Sequence, residues 1–188
     1  MAHSRERRTS ESEEPMRTAR LQLVPLTVST GRAVLAGDFS GLETAEGWPH
    51  EDTLDAIRMA VGPGPCSLVW LVALEGVVIG DCGTVGPLRA GGEIEIGYGL
   101  AAGHRGLGYG TEVVAALSGW LRSRPGVSRV VAEVQARNAP SRRVLERAGF
   151  ALERSEDDRM WYSLASKEAL TSRPSRRESR RLTRLQAR

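Results

Sequence analysis

An α/β fold with a mixed, mainly antiparallel sheet flanked by helices is what this sequence predicts, and three observations carry it. Two pairs of short β-rich runs, 67–74 with 77–85 and 151–156 with 160–164, are joined by turn-forming residues and read as hairpins. Between them an alternating run at 93–100 passes straight into a glycine-rich turn that opens an amphipathic helix at 110–122. The resulting order, strands in hairpins and then β-α-β-α-ββ, calls for antiparallel neighbours and a crossover in one sheet. At 188 residues the chain suits a single domain with a sizeable core.

The elements follow in order. Residues 1–16 are dense in charge and poor in apolar groups, so they are expected to be a disordered extension before a domain at 17–165. Leu21, Leu23 and Val24 among polar neighbours mark a first strand at 20–26. Val28, Arg32, Leu35 and Ala36 have helical spacing over 27–38, which Gly31 weakens. Pro49 followed by His50, Glu51 and Asp52 resembles a helix start with acids in its first turn, and Leu54, Ile57 and Val61 then share a face. Gly62-Pro63-Gly64-Pro65 breaks that helix. The run 67–74 is too short and too β-rich for an amphipathic helix, and Glu75-Gly76 turns it into its partner. In the helix at 110–122, Val113, Val114, Leu117, Trp120 and Leu121 face inward. A strand at 127–134, a short helix at 141–148 and a hairpin around Asp157-Asp158 close the domain, and no internal repeat is visible.

The junction at 94–111, Ile-Glu-Ile-Gly-Tyr-Gly-Leu-Ala-Ala-Gly-His-Arg-Gly-Leu-Gly-Tyr-Gly-Thr, is an anion site in outline. Backbone N–H groups at a helix start lack intrahelical partners and carry the positive end of the dipole. Gly106, Gly108 and Gly110 let the backbone approach a ligand closely, and Arg105 stands at the mouth as a phosphate partner. A flexible strand-to-helix turn would also tolerate such glycines. A dinucleotide-binding fold would want Gly-x-Gly-x-x-Gly and an acid about 20 residues on, and the glycines here are spaced differently. A P-loop would need Gly-Lys-Ser/Thr, whereas the only lysine is Lys167.

A second motif lies downstream, Asn138-x-x-Ser141 in a helix ending at Gly149-Phe150. Taken in order, Arg105-x-x-Gly108-x-Gly110 and Asn138-x-x-Ser141 closely resemble the acetyl-CoA-binding core of the GNAT N-acetyltransferases, over roughly residues 17–165. The resemblance is nearest to the branch that includes the ribosomal-protein N-terminal acetyltransferases. It implies a GNAT-like acyl-CoA N-acyltransferase fold in which the strands flanking the phosphate-loop helix splay apart and pantetheine enters the gap. The implied donor is acetyl-CoA as co-substrate, with its pyrophosphate on Arg105, Gly106, Leu107, Gly108, Tyr109, Gly110 and Thr111. Its amides would meet the backbone of Leu100 and Ala101, and Asn138 and Ser141 would contact pantetheine. The implied acceptor is a primary amine, a protein N-terminus or a small molecule, attacking directly in a ternary complex.

Such a transfer needs a group to take the amine proton and a donor for the departing thiolate. Glu133 is the candidate base, because its spacing to Asn138 matches one ribosomal subgroup of that family; it also suits a charged residue closing a half-exposed strand. Glu93 and Glu95 share a strand face and could order a water that relays the proton, or pair with arginines. Ser141 is the candidate donor, although Asn138 or Ser141 could equally cap the short helix. Family members with a tyrosine acid place it seven residues after the asparagine, where this chain has Leu145. Tyr98, Tyr109 and Tyr162 are left as substitutes. Trp48 could line an acceptor pocket or be buried, and His50 and His104, without partners in spacing, read as surface groups. A module of this fold that binds acyl-CoA without turnover is the alternative reading.

Charge is uneven. Residues 166–188 hold eight basic and two acidic groups, leaving 18 basic against 21 acidic in the rest. That basic tail is expected to be disordered, with at most weak nonspecific attraction to nucleic acid. Cys66 and Cys82 are far apart and have no histidine partner in spacing, so no metal site is expected. Without a signal-like N-terminus or an apolar run of about 18 residues, a cytoplasmic protein free of the membrane is expected, as a monomer or homodimer.

Overall fold

The computed structural model describes residues 13–63 and 67–165. Its strands are β1 Met16–Arg17, β2 Gln22–Pro25, β3 Val69–Leu74, β4 Val77–Thr84, β5 Glu93–Leu100, β6 Arg129–Gln135, β7 Ala151–Glu156 and β8 Arg159–Ala165. Its helices are α1 Val28–Leu35, α2 Glu51–Val61, α3 Tyr109–Arg122 and α4 Ala139–Arg147. The strands form one sheet in the order β1-β2-β3-β4-β5-β6-β8-β7. Every neighbouring pair is antiparallel except β5 and β6, which are parallel across the α3 crossover. This is the mixed, mainly antiparallel sheet that the sequence predicts.

Local chemistry explains most boundaries. Thr27 caps α1 by accepting from Thr30 N at 3.0 Å. Gly31, which weakens α1 as an isolated helix, is required by packing: a Cβ there would lie 2.6 Å from Val61 Cγ1 of α2. Glu75 and Gly76 have φ of 51° and 91°, the left-handed pair that a tight β3–β4 hairpin demands. α4 starts at Ala139, two residues earlier than expected, because Asn138 takes the cap.

The amino-terminal boundary also moves. Met16 belongs to β1 and pairs with Leu23, and Glu13 forms an ion pair with Arg124 at 2.7 Å. Residues 13–16 therefore pack on the domain, in place of the extension predicted there. Residues 1–12, the Gly64-Pro65 half of the predicted break, Cys66 and the basic tail at 166–188 lie outside the described residues.

Strand alternation divides the sheet into two faces. On one, Trp70, Cys82, Ile96 and Leu100 pack under α3, whose Val113, Val114, Leu117 and Leu121 are buried. Trp70 meets Trp120 of α3 edge to face at 5.0 Å. The other face, which carries Asp81, is covered by α2 through Thr53 and by the loop holding Trp48.

Candidate active site

β5 and β6 pair only from Glu93↔Arg129 to Glu95↔Val131. Beyond that point β5 stays with β4 as far as Leu100, and β6 stays with β8 as far as Gln135. The segments 96–100 and 132–135 therefore bound a gap in the sheet. Ala101 N donates to Ile79 O and Glu95 O accepts from Val85 N, each at 2.8 Å, so odd-numbered residues of β5 turn their backbone groups toward β4. Alternation turns those of Ile96, Tyr98 and Leu100 into the gap, where an extended amide could pair with them as a strand would.

Leu100 and Ala101 do not serve equally. The N–H of Ala101 is committed to Ile79, which leaves it no donor for a ligand, and its carbonyl already accepts from His104 N at 2.9 Å. The carbonyl of Leu100 accepts from Arg105 Nε at 2.8 Å. Parallel pairing at Glu95↔Val131 takes the N–H of Ile96 to β6, so the gap-facing backbone left unclaimed is that of Tyr98 and the N–H of Leu100.

A turn at Ala102–His104 carries the chain into the glycine loop. Gly106 and Gly108 have φ of 77° and 85°, and Gly108 is the residue from which α3 springs. Among the described residues, no backbone N–H from 106 to 111 has a hydrogen-bond partner. These donors converge at the positive end of α3, a cradle that fits a pyrophosphate. Gly110 works differently: it is buried, and a Cβ there would sit 3.2 Å from Val144 Cγ2, so it admits α4 against α3. Leu107 is exposed and its carbonyl accepts from Arg20 Nη1 at 3.1 Å, while the Tyr109 ring lies under the Arg20 guanidinium at 4.4 Å. Thr111 is half-buried in the first turn of α3.

Arg20 is a cation at this loop that sequence spacing did not reveal. Its Nε donates to Glu112 Oε2 at 2.8 Å, and Thr18 donates to Oε1 at 2.5 Å. Burial raises the Glu112 carboxyl, but these hydrogen bonds outweigh it and hold the group below its ordinary value.

Register places Glu93, Glu95 and Glu133 on one face of the sheet, and all three are held by cations. Glu93 pairs with Arg129 and with Arg89, the latter at 2.9 Å, and Glu95 pairs with Arg89. The Arg129 hydrogen bond is the main reason that the Glu93 carboxyl lies below its usual range. Glu133 accepts from Arg159 at 2.5 Å and from Trp161 Nε1 at 3.1 Å.

Across the gap, Asn138 Oδ1 accepts from Ser141 N at 3.1 Å and caps α4, which commits that oxygen. The Ser141 hydroxyl has no partner among the described residues. Tyr98 reaches over from β5 and donates to Ser141 O at 3.2 Å, and burial raises its phenol above the ordinary value. Of the three tyrosines, Tyr98 alone spans the gap; Tyr162 is buried on Glu146, Tyr109 lies under Arg20, and Leu145 is buried. Cys82 is buried, and burial pushes its thiol well up, so it stays an inert thiol.

Two sequence expectations fail at the histidines. His50 and His104 are both half-buried rather than surface groups. His50 Nδ1 is 2.5 Å from Thr53 Oγ1, and Thr53 donates to Asp81 Oδ1 at 2.5 Å. Trp48, itself buried, donates to the same oxygen at 3.1 Å. The His50 ring covers Gly99 of β5, where a Cβ would lie 2.6 Å from its Cε1.

The acetyltransferase (GNAT) domain family matches residues 20–151, which span the gap, the glycine loop and α4. The chain belongs to the GNAT acetyltransferase family. An uncharacterised N-acetyltransferase, YjdG of Bacillus subtilis, is 32% identical over 120 residues, 60% of this chain and 71% of that one. An acetyltransferase structure from Agrobacterium tumefaciens aligns with a TM-score of 0.56 at 26% identity, covering 81% and 95% of the two chains. RimL, a ribosomal L7/L12 α-N-protein acetyltransferase solved with coenzyme A, has the same fold, with a TM-score of 0.61 at 20% identity over 81% and 98%. Among the described residues, no helix is long and apolar enough to cross a membrane and no group of side chains could hold a metal ion.

Proposed function

We propose that this GNAT protein transfers the acetyl group of acetyl-CoA to a primary amine by direct attack within a ternary complex. The observation that carries the reading is the union of a sheet gap lined by unclaimed strand backbone with an unpartnered N–H cradle at the start of α3. Acetyl-CoA would supply an activated acyl group. The 105–111 loop would hold its pyrophosphate, with Arg105 adding charge and Arg20 lending a second cation beside Leu107. Tyr98 and the N–H of Leu100 would pair with its amides, and the unpartnered Ser141 hydroxyl would meet pantetheine.

The departing thiolate needs a proton, and two hydroxyls border the gap for it. Tyr98 stays protonated at neutral pH because burial raises its phenol, and Ser141 lies beside it at the start of α4. The acceptor amine would approach from the face that carries Asp81, Gly97, Gly99 and the three glutamates. Cys82 is buried, so among the described residues no thiol is offered for a covalent intermediate there.

A panel of amines, including a short peptide with a free α-amine and a primary alkylamine, would be incubated with acetyl-CoA and followed by release of free thiol. Amine-dependent thiol release is expected. Calorimetric binding of CoA without release for any amine would leave an acyl-CoA-binding module of this fold, and no binding would remove the site altogether.

A further inference from the structure

We infer that His50 is the group that takes the proton from the acceptor amine, with Thr53 and Asp81 as positioning residues behind it. The inference rests on the transfer reading above and adds to it a base that none of the three glutamates supplies. It starts from hydrogen-bond direction. Asp81 Oδ1 accepts from both Trp48 Nε1 and Thr53 Oγ1, so the Thr53 proton is spent on the carboxylate. The Thr53 oxygen can then only accept from His50 Nδ1, which must carry a hydrogen. That fixes the neutral ring as the Nδ1–H tautomer and leaves Nε2 as a lone pair with no protein partner among the described residues.

Position agrees with direction. The ring lies on Gly99, in the half of β5 that has parted from β6, and its Nε2 is 3.2 Å from where a Gly99 Cβ would be. Gly97, the next residue of β5 on the same face, adds no side chain beside the ring. His50 is half-buried, so the ring is reachable from that side. Glu93, Glu95 and Glu133, by contrast, are each committed to an arginine.

The step balances. The amine nitrogen bonds to the thioester carbonyl carbon, the C–S bond breaks, and the thiolate takes a proton from the Tyr98 or Ser141 hydroxyl or from water. The amine proton passes to His50 Nε2, and the imidazolium that forms is offset by Asp81 through Thr53. The charged groups coupled to this cluster are Asp81 from β4 and Asp52 from α2; β5 contributes only Gly97 and Gly99 here. An imidazole is by its chemistry a stronger proton acceptor than a carboxylate, and so better matched to an amine.

Two measurements test this. Long-range 1H–15N correlation on labelled, substrate-free protein at pH 8 reads the tautomer of each of the three histidines, His50 being assigned from His50→Gln. The Nδ1–H form is expected for His50, and an Nε2–H form overturns the proposal. Kinetics with the free-amine peptide or the alkylamine should show His50→Gln lowering kcat about 10²-fold or more at pH 7, with CoA affinity retained and the deficit shrinking toward pH 9. Thr53→Val should lose part of that rate and the tautomer preference, and Thr53→Ser should restore both. Full activity of His50→Gln, or a comparable loss in Glu133→Gln alone, would overturn the assignment. Should wild-type protein turn over no amine, the transfer reading itself fails, and the tautomer still decides the His50 relay.

Discussion

Gly108 adopts φ 85° at the residue from which α3 departs, and Arg20 Nη2 would lie 3.3 Å from any Cβ placed there. A β-branched side chain would both strain that backbone and intrude on the N–H cradle. Gly108→Val is therefore expected to abolish acetyl-CoA binding while the domain still folds. Calorimetric titration, with circular dichroism as the folding control, checks it; unchanged affinity in a folded variant would remove the loop from the site. Tyr98 gives a second residue-level outcome. Its hydroxyl spans the gap to Ser141 O, and burial keeps it protonated through neutral pH. Tyr98→Phe should lower kcat about 10-fold to 100-fold with little change in CoA affinity, and Tyr98→Phe combined with Ser141→Ala should lower it further. A single variant with full kcat would assign the thiolate proton to Ser141 or water. At this scale sequence was informative where chemistry is local: Asn138 and Ser141 lie three positions apart, and the cap between them follows from spacing. Thr53, which holds His50, meets Asp81 across 28 positions and through the register of β4, which no local pattern encodes.

Between elements, β5 and β6 are joined by three residue pairs, and a cluster of charges fastens that short seam. Glu93 of β5 accepts from Arg129 of β6 and from Arg89 of the preceding loop, and Arg129 also reaches Glu153 of β7 at 2.7 Å. The Glu93 carboxyl is held below its ordinary value, with the Arg129 hydrogen bond as the leading cause. A depressed carboxyl contributes stability that is fully present above its unfolded pKa and is lost as pH falls through its folded pKa. Glu93→Gln should therefore lower the melting temperature by about 2–4 °C at pH 7, for a partly exposed pair worth about 1 kcal/mol. The gap between variant and wild type should narrow as pH falls through the folded pKa of Glu93. A deficit that stays equal on acidification would show that packing rather than charge is lost. The hairpins, the first turn of α3 and its buried stripe follow from period and turn chemistry, and all of them were legible in the sequence. The commitment of Ala101 to Ile79 was not, because it depends on which edge of β5 faces β4.

At the scale of the whole molecule, the sheet is two halves, β1 to β5 and β6 to β8, that part where the cofactor is proposed to lie. Mixed sheet and single domain could be argued from element order alone, whereas Met16 in β1 and Glu13 on Arg124 escaped notice because a charged stretch hides two contacts made by distant partners. Beyond the last pair, the halves are bridged by α3 against β4, β5 and β6, by α4 against α3, and by Tyr98 on Ser141. An extended ligand seated in the gap would add strand-like hydrogen bonds to β5 and anchor them at the head of α3, tying one half to the other. Binding to the folded state alone stabilises by linkage, by about 2.7 kcal/mol at a ligand concentration one hundred times Kd. For a domain of this size that corresponds to a rise in Tm of roughly 5–10 °C. Acetyl-CoA should produce that shift and slow amide exchange along 96–100, while ADP, which offers the pyrophosphate without pantetheine, should protect the 105–111 loop and leave 96–100 exchanging as before. If ADP protects both segments equally, the strand edge contributes nothing to binding, and the gap is a feature of the fold rather than the seat of the acyl arm.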